Sequence, residues 1–157
     1  MKVHNLLMQD MIITDIESQK GEDVLKEMVD FLKKKNVITR EKNLFEKLLQ
    51  REKLGSTAIG NGVAIPHCKL KEAKDPILLL AVSKKGVDFS SLDGKPAYIF
   101  FLVVSSPDNP SLNLQILAAI AHLIRKSNGL LVKKILNAKN IQSILGIIKE
   151  EEEKIDE

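Results

Sequence analysis

The chain has 157 residues, 44% of them apolar and 29% charged, the profile of an ordinary globular protein long enough to bury a core as one domain. A net charge of +3 is too mild to argue for nucleic acid, and aromatics at 4% without tryptophan provide no base-stacking platform. The single cysteine, Cys68, excludes an internal disulfide framework and a Cys-rich zinc site, and no apolar run approaches the roughly 18 residues of a membrane span.

Met1 to Asp10 lacks the basic, apolar and small-residue succession of a signal peptide, so a cytoplasmic, non-membrane protein is expected. Met11 to Ile16 reads as a short strand. Glu22 to Lys35 reads as a helix, with Val24, Leu25, Met28, Phe31 and Leu32 on one stripe and lysines at its negative end. Arg40 to Leu54 reads as a second helix burying Leu44, Phe45, Leu48 and Leu49, with Thr39 as N-cap and Gly55 just past its end. Lys33 to Lys35, Arg40, Lys42 and Lys47 form a basic zone, read as a solvated face.

Thr57–Ile59 and Val63–Ile65 look like short strands split by Gly60-Asn61-Gly62. Ile77 to Val82 and Tyr98 to Val104 are unbroken apolar runs, the pattern of strands covered on both faces. Asn109-Pro110 opens a helix that Asn128-Gly129 stops, and Leu130–Leu136 and Ile141–Lys149 follow as further helices. This order predicts an α/β (mixed α+β) fold, a central mixed sheet flanked by helices. Residues 1–148 are expected as one domain. Residues 149–157, an acidic C-terminal tail with six acids against two lysines, are expected as a solvated, frayed helix end, with an interaction role as the lesser alternative, which leaves +7 on the rest.

The segment from Arg51 to Cys68 holds three of the eight glycines. Gly55 to Gly60 has the opening spacing of a P-loop, but Asn61-Gly62 follows where the completing lysine should stand. Gly60-x-Gly62-x-x-Ile65 lacks the third glycine of a dinucleotide fingerprint. What remains is His67 behind Pro66. Proline cannot donate to a ladder, so the strand is expected to end there or sit at an edge, with the histidine emerging. A neutral imidazole has one nitrogen with a free lone pair, can attack phosphorus and leaves well once protonated. On the residues alone, His67 is either such a phosphoryl acceptor or a strand-end histidine satisfied by local hydrogen bonds.

The run Gly60-Asn61-Gly62, Val63-Ala64-Ile65-Pro66-His67, Cys68 resembles the phosphorylation site of the type-2 (fructose/mannitol) enzyme IIA family of the bacterial phosphotransferase system. Arg51-Glu52-Lys53 with Gly55-Ser56-Thr57 is most similar to its nitrogen-regulatory branch. The resemblance implies that His67 accepts a phosphoryl group from an HPr-like carrier and passes it to a permease component or holds it as a regulatory mark. It implies a phosphate-binding role for Arg51, against the alternative of a solvated helix-end charge. It also implies donors from Ser56 and Thr57, against plain turn residues. No cofactor or metal is implied, and the three histidines are too scattered to form a metal site.

The family's second active-site histidine opens a helix before a Leu-x-x-Leu-x-x-apolar-Ala pattern. Here that pattern is Leu114, Leu117, Ile120 and Ala121, and Asn113 stands in the histidine's place. Helical spacing puts Asn113 on the inward face of Leu117, Ile120 and Ile124; His122 falls on the outer face with Gln115 and Arg125 and cannot replace the histidine. An asparagine donates without becoming charged, so slower or less stable phosphorylation is expected, against the alternative that Asn113 only caps or packs. The departure also keeps open a non-transferring regulatory module. Leu54, Val63 and Ile65 are expected to form an apolar docking surface for the donor. Cys68 reads as a half-buried small residue, with oxidation beside the acceptor as the lesser alternative.

Overall fold

The two longest apolar runs pair with each other. In the computed structural model, which describes residues 1–155, they form β5 (Ile77–Val87) and β6 (Ala97–Ser105), an antiparallel pair in register from Ile77 opposite Val104 to Val82 opposite Ile99. Side chains on β6 alternate between faces as a pleated strand requires. Phe100, Leu102 and Val104 face one core, and Ile99, Phe101 and Val103 face the other.

The remaining strands build outward from this pair. β1 (Ile12–Ile13) lies parallel to β5. It is shorter than the predicted strand, although the Ile16 N–H still donates to the Val82 carbonyl. β3 (Val63–Ala64) and β4 (His67–Lys69) both run parallel to β6, and β2 (Ala58–Gly60) is antiparallel to β3. The sheet is therefore mixed, in the order β1-β5-β6-β3-β2, with β4 continuing the row of β3. The two residues between β2 and β3, Asn61 and Gly62, take φ of 57° and 81°. Positive φ at both positions is what a tight hairpin turn of this length demands, which accounts for the Asn-Gly pair.

Helices α2 (Gly21–Lys34) and α3 (Glu41–Lys53) cover one face through Val24, Leu25, Met28, Leu32, Leu44 and Leu48. Arg40, not Thr39, is the N-cap of α3, and it contributes no side-chain cap. The Thr39 hydroxyl instead donates to Glu72 Oε2 at 2.6 Å, a long-range partner that local capping rules do not anticipate. Gly55 follows the C-cap residue Leu54 as expected.

The other face carries α4 (Pro110–Ser127), α5 (Leu130–Leu136), α6 (Ile141–Ile155) and the single turn α1 (Val3–Leu6). Asn109 caps α4 by accepting from Leu112 N at 3.2 Å, and Asn128 stops it in the left-handed conformation. The acidic stretch is a helix end, as expected, but it is not wholly solvated. Helix α6 runs through it to Ile155, and both Glu151 and Glu152 are buried. Glu152 accepts from the Val3 and His4 N–H groups, each at 2.7 Å, and lies 2.6 Å from His4 Nδ1. It caps α1, which has no side-chain cap of its own. Glu151 pairs with Lys134 at 2.5 Å. Asp156 and Glu157 lie outside the described residues.

Candidate functional site

His67 opens a strand; the chain does not leave the sheet at Pro66. The Pro66 carbonyl still accepts from Val103 N at 2.9 Å, and the register of β3 against β6 continues unshifted into β4, with His67 opposite Val103. Proline removes one donor from the ladder and separates β3 from β4, but a parallel neighbour holds the segment on both sides of it. Among the described strands β4 pairs with β6 alone, so His67 sits on a sheet edge. Its side chain shares the face of Val103, the face that α4 covers.

The imidazole is half-buried, and Nδ1 lies 2.7 Å from the Ile65 carbonyl oxygen. A carbonyl can only accept, so Nδ1 carries the hydrogen, and in the neutral ring the lone pair is on Nε2. Burial pushes the histidine below its usual value and the nearby Arg51 cation adds to this; the Ile65 hydrogen bond and the Glu52 charge oppose it. The net result is a ring held toward its neutral form, with Nε2 as the nitrogen that keeps the free lone pair.

Arg51 stands in the last turn of α3, which packs beside β4. Its Nη1 donates to the Gly55 carbonyl at 2.8 Å, which ties the guanidinium across the helix end. Arg51 lies close enough to His67 for its charge to act on the ring. Ser56 and Thr57 are not directed at the ring. The Ser56 hydroxyl donates to the Phe89 carbonyl at 2.5 Å and accepts from Ala58 N at 3.1 Å. Thr57 is buried, and both its N–H and its hydroxyl donate to the Glu52 carboxylate. These two residues shape the loop. Glu52, part of the Arg51-Glu52-Lys53 resemblance but without a role read from sequence, both clamps Thr57 and acts on the titration of His67.

Asn113 points inward from the first turns of α4, 6% exposed, and its Oδ1 accepts from the Ser105 hydroxyl at 2.8 Å. His122 is exposed on the opposite side of the helix. Of the three apolar residues expected to form a docking surface, only Leu54 is exposed, at 86%; Val63 and Ile65 belong to the core at 1% and 4%. The sheet pleat turns them inward, and Ile59, which points outward from β2, is exposed instead. Cys68 faces the α2–α3 side, opposite to His67. Burial pushes its thiol up to about 12 despite the Lys47 charge, so it is inert as a nucleophile and its oxidation does not enter the site's chemistry. Among the described residues no cluster of three or more His, Cys, Asp or Glu side chains is arranged for a metal, and no helix is long and apolar enough to cross a membrane.

Comparison with known proteins adds independent information. Residues 5–151 match the family model described as phosphoenolpyruvate-dependent sugar phosphotransferase system, EIIA 2. A fructose-specific EIIABC component of Bacillus subtilis is 34% identical over 148 residues, which cover 94% of this chain and 23% of that protein. A nitrogen regulatory protein of Bradyrhizobium diazoefficiens is 40% identical over 108 residues, 69% of each chain. The chain therefore spans about a quarter of the first relative and about two thirds of the second. The crystal structure of nitrogen regulatory protein IIA-Ntr from Neisseria meningitidis superposes with a TM-score of 0.83 at 24% identity, covering 93% of this chain and 98% of that one.

Proposed function

The chain belongs to the EIIA 2 family of the phosphoenolpyruvate-dependent sugar phosphotransferase system, and from that membership we propose that it is a phosphoryl carrier that accepts on Nε2 of His67 from an HPr-like protein. The observation that carries this reading is the Nδ1 hydrogen bond to the Ile65 carbonyl, which leaves the Nε2 lone pair as the nucleophile. In the transfer, Nε2 attacks phosphorus and the N–P bond of the donor's phosphohistidine breaks. The donor ring, protonated on its other nitrogen, departs as neutral imidazole. The His67 ring becomes cationic, with its Nδ1–H held by the Ile65 carbonyl and its charge favoured by Glu52. Arg51 faces the arriving dianion with a fork of donors, and Asn113 offers a neutral amide from the α4 side. Such a step rests on positioning and charge stabilisation, so the reading invokes no cofactor.

In this reading residues 1–148 act as one carrier domain in the cytoplasm, and the acidic residues that follow complete its last helix. The phosphorylated form serves as a regulatory, nitrogen-type mark. The Arg51 to Gly62 stretch and the 40% identity to a nitrogen regulatory protein support this recipient. The match of nearly the whole chain to a fructose-specific component favours a second reading, in which the phosphoryl group goes to a sugar permease component.

The test is incubation with phosphoenolpyruvate, enzyme I and an HPr-type carrier. An acid-labile phosphoryl adduct that His67→Ala abolishes is the expected result. No adduct would leave a non-transferring interaction module, the alternative raised by Asn113. Subsequent addition of a fructose-type IIB domain separates the two recipients: rapid discharge supports the sugar-specific reading, and retention of the adduct supports the regulatory one.

A further inference from the structure

We propose that Ser105 is a positioning residue for phosphoryl transfer, one that fixes the Asn113 carboxamide so that its N–H donors face the phosphoryl group on His67. The inference rests on the carrier reading above and deepens it. Ser105 ends β6, is 2% exposed, and donates its hydroxyl hydrogen to Asn113 Oδ1 at 2.8 Å. A carboxamide has one acceptor end and one donor end. With the oxygen held by Ser105, the NH2 group must point away from β6.

The sheet says what lies in that direction. β4 is the neighbour of β6 here, with Lys69 opposite Ser105 and His67 opposite Val103. Residues two apart on a strand share a face, so His67, Val103, Ser105 and Asn113 all lie on the α4 side of the sheet. Interstrand spacing of about 4.8 Å and a rise of about 3.3 Å per residue put the His67 and Ser105 backbones about 8 Å apart on the diagonal. That gap suits two side chains and a phosphoryl group between them. No buried side-chain polar atom lacks a partner among the described residues, and no protein acceptor takes the Asn113 NH2. The amide nitrogen therefore touches solvent, and the nearest strand beside β6 on this stretch is the edge strand that carries His67. A residue that cannot carry charge gains from being pre-oriented, because no rearrangement is then needed as the phosphoryl group arrives. Without the serine hydroxyl the carboxamide is free to turn its oxygen toward the dianion, where it repels.

The test is a double-mutant cycle on the full chain, read as phosphoryl acceptance from a phosphorylated HPr-type carrier. Ser105→Ala is expected to lower kcat about fivefold, the worth of one neutral hydrogen bond, with KM for the donor unchanged because the docking surface is untouched. Ser105→Thr, which keeps the hydroxyl, is expected to restore the rate. In an Asn113→Ala background the Ser105→Ala effect should vanish. The Asn113 side-chain amide resonances should shift on phosphorylation of the wild type and not of Ser105→Ala. Wild-type kcat in Ser105→Ala, or an undiminished loss in the Asn113→Ala background, would overturn the proposal. A wild-type chain that takes up no phosphoryl group at all would overturn the carrier reading, and this inference with it.

Discussion

Replacing Arg51 by glutamine separates its functional from its structural contribution. The guanidinium makes one exposed hydrogen bond, to the Gly55 carbonyl, and lies close enough to His67 to depress its titration. An exposed neutral-acceptor bond is worth about 1 kcal/mol or less, and 1 kcal/mol shifts the Tm of a chain this size by roughly 2–4 °C. Stability should therefore barely change. The phosphoryl dianion, by contrast, loses a charge-assisted partner worth about 1.5–3 kcal/mol, which is roughly ten- to a hundredfold in rate. The His67 titration should also move up, because one of the two influences depressing it has gone. Burial, the larger one, remains. The acid limb of the rate profile should shift to higher pH accordingly. The assays are the initial rate of phosphorylation by an HPr-type donor and the His67 ring titration followed by NMR. A glutamine variant with the wild-type rate and an unmoved titration would refute the assignment of Arg51 to the site.

Three further outcomes follow from the geometry. Glu152→Ala strips the Val3 and His4 N–H groups of their acceptor and should cost about 2–4 kcal/mol, lowering Tm by roughly 5–15 °C while phosphorylation stays normal; an unchanged Tm would contradict the capping role. Burial raises the Glu151 carboxyl, but Lys134 and then Lys154 outweigh it and hold the group below its usual value. Wild type should therefore exceed Glu151→Gln in denaturant stability above the unfolded carboxyl value of about 4.3, and this difference should disappear as pH falls through the lower folded value; a difference that grows on acidification would be the wrong sign. Cys68, pushed up to about 12, should react with a disulfide reagent at pH 8 on the order of a thousandfold more slowly than a free thiol, with a tenfold rise per pH unit; labelling at the free-thiol rate would mean that the face is open.

Much of this architecture was visible in residue order. The runs from Ile77 and from Tyr98 carry no polar break, the pattern of strands with two covered faces, and Gly60-Asn61-Gly62 marks the break between the two short strands β2 and β3. Helix ends were legible where the cap is local, as at Asn109, and not where it is distant, as with Thr39 and Glu72. The same division runs through the site. The histidine, the arginine and the inward asparagine can be read from spacing and resemblance. Glu52, Ser105 and the buried Glu151 and Glu152 cannot, because a charged or hydroxyl side chain looks the same in sequence whether it is solvated or held by a partner many residues away. Pro66 was legible as the end of β3 and as the mark of an edge, where His67 sits; what residue order does not show is that β6 carries the register past the missing donor into β4.

The most direct test of the central claim is the identity of the phosphorylated nitrogen. Nitrogen-15 NMR of the chain phosphorylated by an HPr-type carrier, with the histidine rings labelled, distinguishes substitution at Nε2 from substitution at Nδ1. The hydrogen bond from Nδ1 to the Ile65 carbonyl predicts a phosphoryl group on Nε2 of His67, with the Nδ1 proton retained. A phosphoryl group on Nδ1, or on His4 or His122 in place of His67, would contradict it.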